Sequence, residues 1–201
     1  MKIKNLKQEG NTITFNVKDA DTTLLNALRR TILSEIPVMA IETVTFYNNT
    51  SILSDELLAH RLGLVPLITD PKLFNNPPDC SCKGKGCGKC TLKITLKAEG
   101  PKTVYSSELQ PADKETKPVY ENMPLVKLTA GQQIDLEAIA HLGQAKDHTK
   151  WQAGLASYEE KEDGSYDMQI ETYSQLSVKT LLEQAFNTFE EKLKQLKEEL
   201  K

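Results

Sequence analysis

From Asp21 to Pro37 the apolar residues recur at helical spacing. Leu24, Leu25, Leu28, Ile32 and Ile36 fall on one face, which predicts one amphipathic helix. Asp21 or Thr22 can cap its start, because a short oxygen side chain accepts from an otherwise unpaired backbone N–H. Pro37 stops it by removing an N–H and disfavouring helical dihedrals at Ile36. A second helical pattern runs from about Ser177 to Lys201. Val178, Leu181, Leu182, Ala185, Phe186, Phe189, Leu193, Leu196 and Leu200 follow one another mostly in steps of three and four. The stripe is broad early and narrow late, like the seam of a coiled coil. An apolar stripe that reaches so far along a helix calls for a partner surface.

The remainder alternates with period two and predicts strands. Lys2–Leu6 and Thr12–Val17 flank a Gly10-Asn11 turn, with Ile13, Phe15 and Val17 on one face. Val38–Tyr47 is rich in β-branched and aromatic residues, and Asn48-Asn49 is expected to break it. Thr91–Ala98 alternates through Leu92, Ile94, Leu96 and Ala98, with Gly100-Pro101 as its turn and Thr103–Ser107 expected to pair back. Gln132–Leu142 alternates as a strand, with a helix as the alternative for Ala138–Leu142 alone, and the stretch from Tyr166 to Thr172 reads as a further strand. A short helix is predicted from Ser54, with Leu57, Leu58, Arg61 and Leu62, and Gly63 is expected as a left-handed stop. Leu64–Ile68 holds a proline and fits an edge strand or extended segment. Gln110–Pro118 reads as an exposed loop and Glu159–Ser165 as a charged turn. The fold class is therefore α+β, without internal repeats.

Composition narrows the function more than the fold. The chain has 201 residues, 39% hydrophobic and 26% charged, with a formal charge of −3. A protein whose main task is gripping phosphate backbones usually carries a basic surplus, so no strong direct nucleic-acid binding is expected. Aromatic residues are 6% and do not interleave with a basic stripe, which weakens a base-stacking platform. There is no run of about 18 apolar residues, so no membrane span is expected. The first ten residues lack the apolar centre of a signal peptide, and a cytoplasmic location is expected.

The strongest chemical signal is Cys80-x-Cys82-x4-Cys87-x2-Cys90, which holds all four cysteines. In a reducing compartment such clustering points to a metal rather than disulfides. Four thiolates can close a tetrahedron around one ion, and a site with only cysteine ligands is structural. Zn2+ is the leading occupant and an iron–sulfur cluster the alternative. Gly84, Gly86 and Gly88 allow tight turns, and Lys83, Lys85 and Lys89 offset the thiolate charge. The loop has almost no apolar residue, so a metal would supply its local folding energy. His60, His141 and His148 have no metal-pair spacing and accompany no nucleophile pattern. His60 and His141 read as packing or surface residues, and His148 as a hydrogen-bonding anchor. No glycine-rich phosphate loop is present. Three open readings follow from the residues alone, the first two being an interaction or scaffold protein and a stand-alone zinc module for nucleic acid. A small iron–sulfur protein is a third.

Three segments carry a resemblance. Asn26-Ala27-Leu28-Arg29-Arg30-Thr31-Ile32-Leu33-Ser34-Glu35-Ile36-Pro37 resembles the alpha-like motif of RNA polymerase assembly subunits. This family comprises the bacterial alpha amino-terminal domain, eukaryotic third-largest-type subunits and their archaeal D-type counterparts. Residues 55–67, Asp-Glu-Leu-Leu-Ala-His-Arg-Leu-Gly-Leu-Val-Pro-Leu, are similar to a segment of its archaeal and eukaryotic members. Ala145-Lys146-Asp147-His148-Thr149-Lys150-Trp151 is similar to their lysine-histidine-lysine-tryptophan stretch. Length and compactness place the resemblance nearest the archaeal branch.

The resemblance implies a two-domain, alpha-subunit-like architecture. Residues 1–38 and 150–201 would form a dimerisation domain. Residues 39–149 would form a mainly β insert bearing the metal loop 80–90. It implies a non-catalytic assembly subunit of a DNA-directed RNA polymerase, in which the nucleotidyl transfer of transcription belongs to other chains. Its implied heterodimer partner is the small alpha-like subunit, subunit L in archaea. Small zinc-binding assembly subunits and the second-largest catalytic subunit would dock on that pair. Arg29 and Arg30, which by themselves read as a solvated face, become contacts to a large subunit. Leu24, Leu28 and Ile32, with Leu182, Phe189 and Leu196 of the last helix, become dimer-facing packing. The four cysteines match the zinc site of the insert in eukaryotic relatives, with a slightly different loop length. Many archaeal relatives carry a ferredoxin-like domain with cluster cysteines after the tryptophan segment. Here Gln152–Ser165 holds no cysteine, so that cluster is not expected, and zinc at Cys80–Cys90 is favoured.

Overall fold

The computed structural model describes residues 2–113 and 115–200. The chain forms two compact units, 1–36 with 144–201, and 37–143.

In the first unit, strand β1 (Lys2–Glu9) pairs with β2 (Thr12–Lys18). The antiparallel sheet continues with β10 (Tyr166–Thr172) and ends on β9 (Gly154–Glu160), in the order β1-β2-β10-β9. Ile13, Phe15 and Val17 of β2 are buried, as are Tyr166, Met168 and Ile170 of β10. Helix α1 (Thr22–Ser34) lies against β9 and against helix α3 (Val178–Glu199), which also touches β10. The Asp21 carboxylate caps α1 by accepting from Thr23 N–H at 2.9 Å, and Ser177 Oγ caps α3 by accepting from Thr180 N–H at 3.1 Å.

The helix face of α1 differs from its sequence pattern in one residue. Leu25, Leu28 and Ile32 are buried, but Leu24 is 39% exposed. Successive helical residues diverge by about 100°, so Leu24 and Leu25 cannot both point into one groove. Strand β9 has no counterpart among the expected elements. Its inward positions are Gly154 and Ala156, while Leu155 faces outward, so its alternation carries almost no hydrophobic signal. Gly154 is required there: a Cβ would stand 2.2 Å from the Glu171 carbonyl oxygen of β10.

The second unit is built on a four-stranded antiparallel sheet in the order β3-β8-β4-β6. These strands are β3 (Val38–Asn49), β8 (Gln133–Gly143), β4 (Thr91–Glu99) and β6 (Gln110–Pro111). A two-stranded sheet joins β5 (Lys102–Tyr105) to β7 (Pro124–Leu128), and α2 (Asp55–Gly63) packs on β3 and β7. Leu58, Leu62, Leu67, Ile94, Leu96, Leu125, Leu128 and Ile134 are fully buried and form the centre of the core. On the other face of the sheet Lys93 pairs with Glu137, and Lys97 with Asp135 at 2.8 Å.

Four local expectations change here. Strand β3 runs through Asn48 and Asn49, which pair with Asp135 and Ile134, because a register shift between Phe46 and Asn48 absorbs the irregularity. Gly63 is the buried last residue of α2, and Leu64 follows in the right-handed region, so no left-handed stop is used. Strand β5 pairs with β7 rather than folding back on β4. The 110–118 loop is pinned rather than free: Thr116 is buried with its N–H and Oγ donating to Asp113, and Pro118 bridges to Leu67.

The unit junctions fall at 36/37 and 143/144 rather than at 38/39 and 149/150. Val38 is paired opposite Gly143, which commits both strand ends to the second unit. Just outside, Gln144 Nε2 donates to the Glu35 carbonyl at 2.7 Å and Lys146 N–H to the Ser34 carbonyl at 3.0 Å, which commits that stretch to the first.

Candidate metal centre and interface helices

The cysteine loop lies between α2 and β4. Its first turn is closed by Lys83 N–H donating to the Cys80 carbonyl at 2.8 Å, and its last by Cys90 N–H donating to the Cys87 carbonyl at 2.9 Å. Lys83, Gly84 and Gly86 all adopt positive φ, which reverses the chain between the two cysteine pairs. Asn75 N–H holds the loop from outside by donating to the Lys89 carbonyl at 2.8 Å. Cys90 runs directly into β4, so the loop is rooted in the core sheet.

This backbone brings the four sulfurs together. Cys80 and Cys87 Sγ are 3.6 Å apart, Cys82 and Cys90 3.5 Å, and Cys87 and Cys90 3.8 Å. All four lie within 4.8 Å of one another. A tetrahedron with metal–sulfur bonds near ~2.3 Å has edges of about 3.8 Å, while a disulfide needs about 2.05 Å. The spacing therefore fits four thiolates on one ion and not two disulfides. Cys80 and Cys90 are buried, and Cys82 and Cys87 are half-buried. A hydrogen bond from the Cys82 backbone lowers the Cys80 thiol to about 6, and burial raises Cys90 to about 12. A bound cation would offset the burial that disfavours the Cys90 thiolate.

None of the three histidines belongs to the gathered quartet, although His141 lies opposite Thr91, the residue after Cys90. His148 Nδ1 accepts from Lys150 N–H at 3.0 Å and caps the short 3-10 turn Thr149–Trp151. That turn seats Trp151 in the core with Lys150 Nζ 4.4 Å from its ring centroid. His141 Nδ1 lies 2.7 Å from the Leu142 carbonyl oxygen, and His60 is exposed.

The helix residues singled out in the sequence divide into two sets. Leu28 and Ile32 are buried inside the first unit and are part of its own core. Leu24 is open, Arg29 half-buried and Arg30 exposed. On α3 only Val178, Leu181 and Ala185 are buried. Leu182 and Phe189 are half-buried, while Phe186 is 49%, Leu193 53%, Leu196 55% and Leu200 79% exposed. From Leu182 to Leu200 these follow steps of four, three, four, three and four. The result is an uncovered coiled-coil-type seam along the outer side of the helix.

A family model described as the RNA polymerase Rpb3/RpoA insert domain matches residues 39–159. The chain belongs to this family. The match covers the second unit, metal loop included, and runs on through most of β9. Among curated proteins, the chain is similar to DNA-directed RNA polymerase subunit Rpo3 of several archaea. It is 43% identical to that of Methanosarcina acetivorans over 157 residues, 78% of this chain and 59% of the relative. It is 49% identical to that of Pyrobaculum neutrophilum over 144 residues, 71% of this chain and 55% of the relative. For Pyrococcus horikoshii the identity is 42% over 158 residues, 79% of this chain and 59% of the relative. The chain thus spans less than two thirds of the length of these Rpb3/RpoA-type relatives. No helix is long and apolar enough to cross a membrane among the described residues.

Proposed function

We propose that this chain is a non-catalytic assembly subunit of a DNA-directed RNA polymerase, of the archaeal D type, acting in the cytoplasm. Its first unit is a dimerisation domain for the small alpha-like subunit L. The pair then forms the platform for small zinc-binding assembly subunits and the second-largest catalytic subunit. The observation that carries this reading is the seam on α3, where leucines and phenylalanines stand uncovered at coiled-coil spacing in a chain whose relatives are polymerase subunits. Exposed apolar stripes of this length mark helix-pairing surfaces rather than solvated faces. Arg29 and Arg30 supply the contact to the large subunit.

Zn2+ is the ion for Cys80, Cys82, Cys87 and Cys90. In an iron–sulfur cluster the cysteines ligate different irons and so stand farther apart, whereas these sulfurs are gathered as for a single ion. The ion is structural here: it ties the loop to the start of β4 and performs no chemistry of its own.

Co-expression with the small alpha-like subunit tests the assembly reading. The expected outcome is a stable 1:1 complex, measured by light scattering after size exclusion, with the lone chain prone to self-association. A monodisperse lone chain with no affinity for that subunit overturns it. Metal analysis of the purified chain should return about one zinc per chain and no acid-labile sulfide.

A further inference from the structure

Arg29 and Arg30 are neighbours on α1, yet they are held differently. One turn earlier, Asn26 Oδ1 accepts from Arg29 Nη2 at 2.9 Å and from Nε at 3.3 Å. Arg29 is half-buried, and Arg30 is exposed. Among the described residues, no carboxylate pairs with either guanidinium.

The choice of nitrogens matters. A guanidinium presents two forked edges to a planar acceptor. The side-on edge combines Nε–H with one Nη2–H, and the end-on edge combines Nη1–H with the other Nη2–H. Asn26 occupies the side-on edge of Arg29. Among the described residues the end-on edge has no partner, so its two parallel donors are kept. The clamp is also neutral. An aspartate at position 26 would make the same contacts but cancel the charge, while the amide leaves Arg29 fully cationic.

We propose that Asn26 is a positioning residue. It fixes Arg29 so that the end-on edge receives a carboxylate of the large partner subunit, in a bidentate pair. This rests on the reading of Arg29 and Arg30 as the contact to that subunit. A free arginine loses much rotamer entropy when it docks; one already held by Asn26 loses less, and its fork meets the acceptor in one orientation. Arg30 has no such clamp and contributes attraction without geometry.

The test uses the reconstituted heterodimer and measures its binding to the second-largest subunit by biolayer interferometry, with a thermal melt of each variant. Arg29→Ala should weaken binding roughly tenfold or more, and Arg29→Lys nearly as much, because lysine has no fork. Asn26→Ala should cost about three- to tenfold. Asn26→Asp is the decisive variant: it keeps the clamp and the melting temperature, yet should weaken binding about as much as Arg29→Ala. If Asn26→Ala and Asn26→Asp bind like the unmodified chain while Arg29→Ala binds weakly, the positioning role is wrong and the contact reading stands. If binding falls only in step with the melting temperature, Asn26 is structural and the inference is overturned. If Arg29→Ala and Arg30→Ala both bind normally, the contact reading falls as well.

Discussion

Glu35, the residue that closes α1, is ion-paired with Lys192 on the outer part of α3. Past Phe189 every described residue of α3 is exposed, and this pair is the outermost ion pair between the two helices among the described residues. Removing it with Lys192→Ala should fray the last three turns. Hydrogen exchange across 190–200 is expected to speed up several-fold, while global stability falls by only about 0.2–1 kcal/mol, because the Lys192 end of the pair is exposed. Unchanged exchange in that segment would show that α3 is held in some other way.

Leu193 and Leu196 touch little within the chain, so substituting them tests the seam without testing the core. Leu193→Ser with Leu196→Ser should leave the melting temperature of the lone chain almost unchanged, since exposed positions usually matter by less than about 0.5 kcal/mol. Heterodimer affinity should fall by at least about tenfold, because apolar anchors dominate helix pairing. By contrast Ile32→Ala, which empties a buried site, should cost the lone chain about 2–5 kcal/mol.

Losing the metal should loosen the insert and spare the rest. Cys87→Ser with Cys90→Ser, or treatment with a strong chelator, is expected to make the 73–90 region sensitive to protease, with Lys83, Lys85 and Lys89 as the first tryptic sites. The heterodimer should persist, since none of its proposed contacts lies in that unit. Dissociation on chelation would tie the two functions together and contradict this division.

Lys18 of β2 reaches across to Asp163 in the β9–β10 turn at 2.6 Å, and Ser165 also donates to that carboxylate. The lysine and the serine together hold the Asp163 carboxyl well below the usual carboxylate range. A depressed folded-state pKa contributes stability that is present above the unfolded value near ~3.9 and lost as pH falls through the folded one. Denaturation midpoints measured from pH 5 down to pH 2 should therefore fall more steeply for the unmodified chain than for Asp163→Asn. The raised Lys18 pKa works in the opposite direction: its share is present below the unfolded value and is lost only in strong alkali, as pH rises through the folded one. Parallel acid profiles for the two proteins would exclude this pair as a source of the slope.

The parts legible in the sequence were those where one face is buried and the other wet. Leu92, Ile94 and Leu96 alternate with Lys93, Thr95 and Lys97, and the strand follows. The spacing of the cysteines anticipated a gathered quartet for the same kind of reason: ligand geometry is local, and four residues within one loop can meet without help from the rest of the fold. Strand β9 was hidden because glycine and alanine do the inward packing there, a demand set by the Glu171 backbone of another strand. The partnering of β5 with β7 was hidden too, since pairing at a distance is decided by tertiary packing. The Asn26–Arg29 contact was hidden as well, although an Asn three residues before an Arg on a helix is a spacing at which the two side chains can meet.

The pairing of Val38 with Gly143 has a consequence for the way such a chain can vary. Residues facing each other across an antiparallel ladder are only about 5 Å apart, so the second unit begins and ends at nearly one point. To the first unit it is equivalent to a short hairpin, however many residues it contains, and growth inside it adds no closure entropy to the fold that hosts it. The insert is in this sense a graft entered and left through one pair of strand ends. Its size, loops and metal ligands can be rewritten, or the whole piece replaced by a tight turn, while α1 and α3 keep their register.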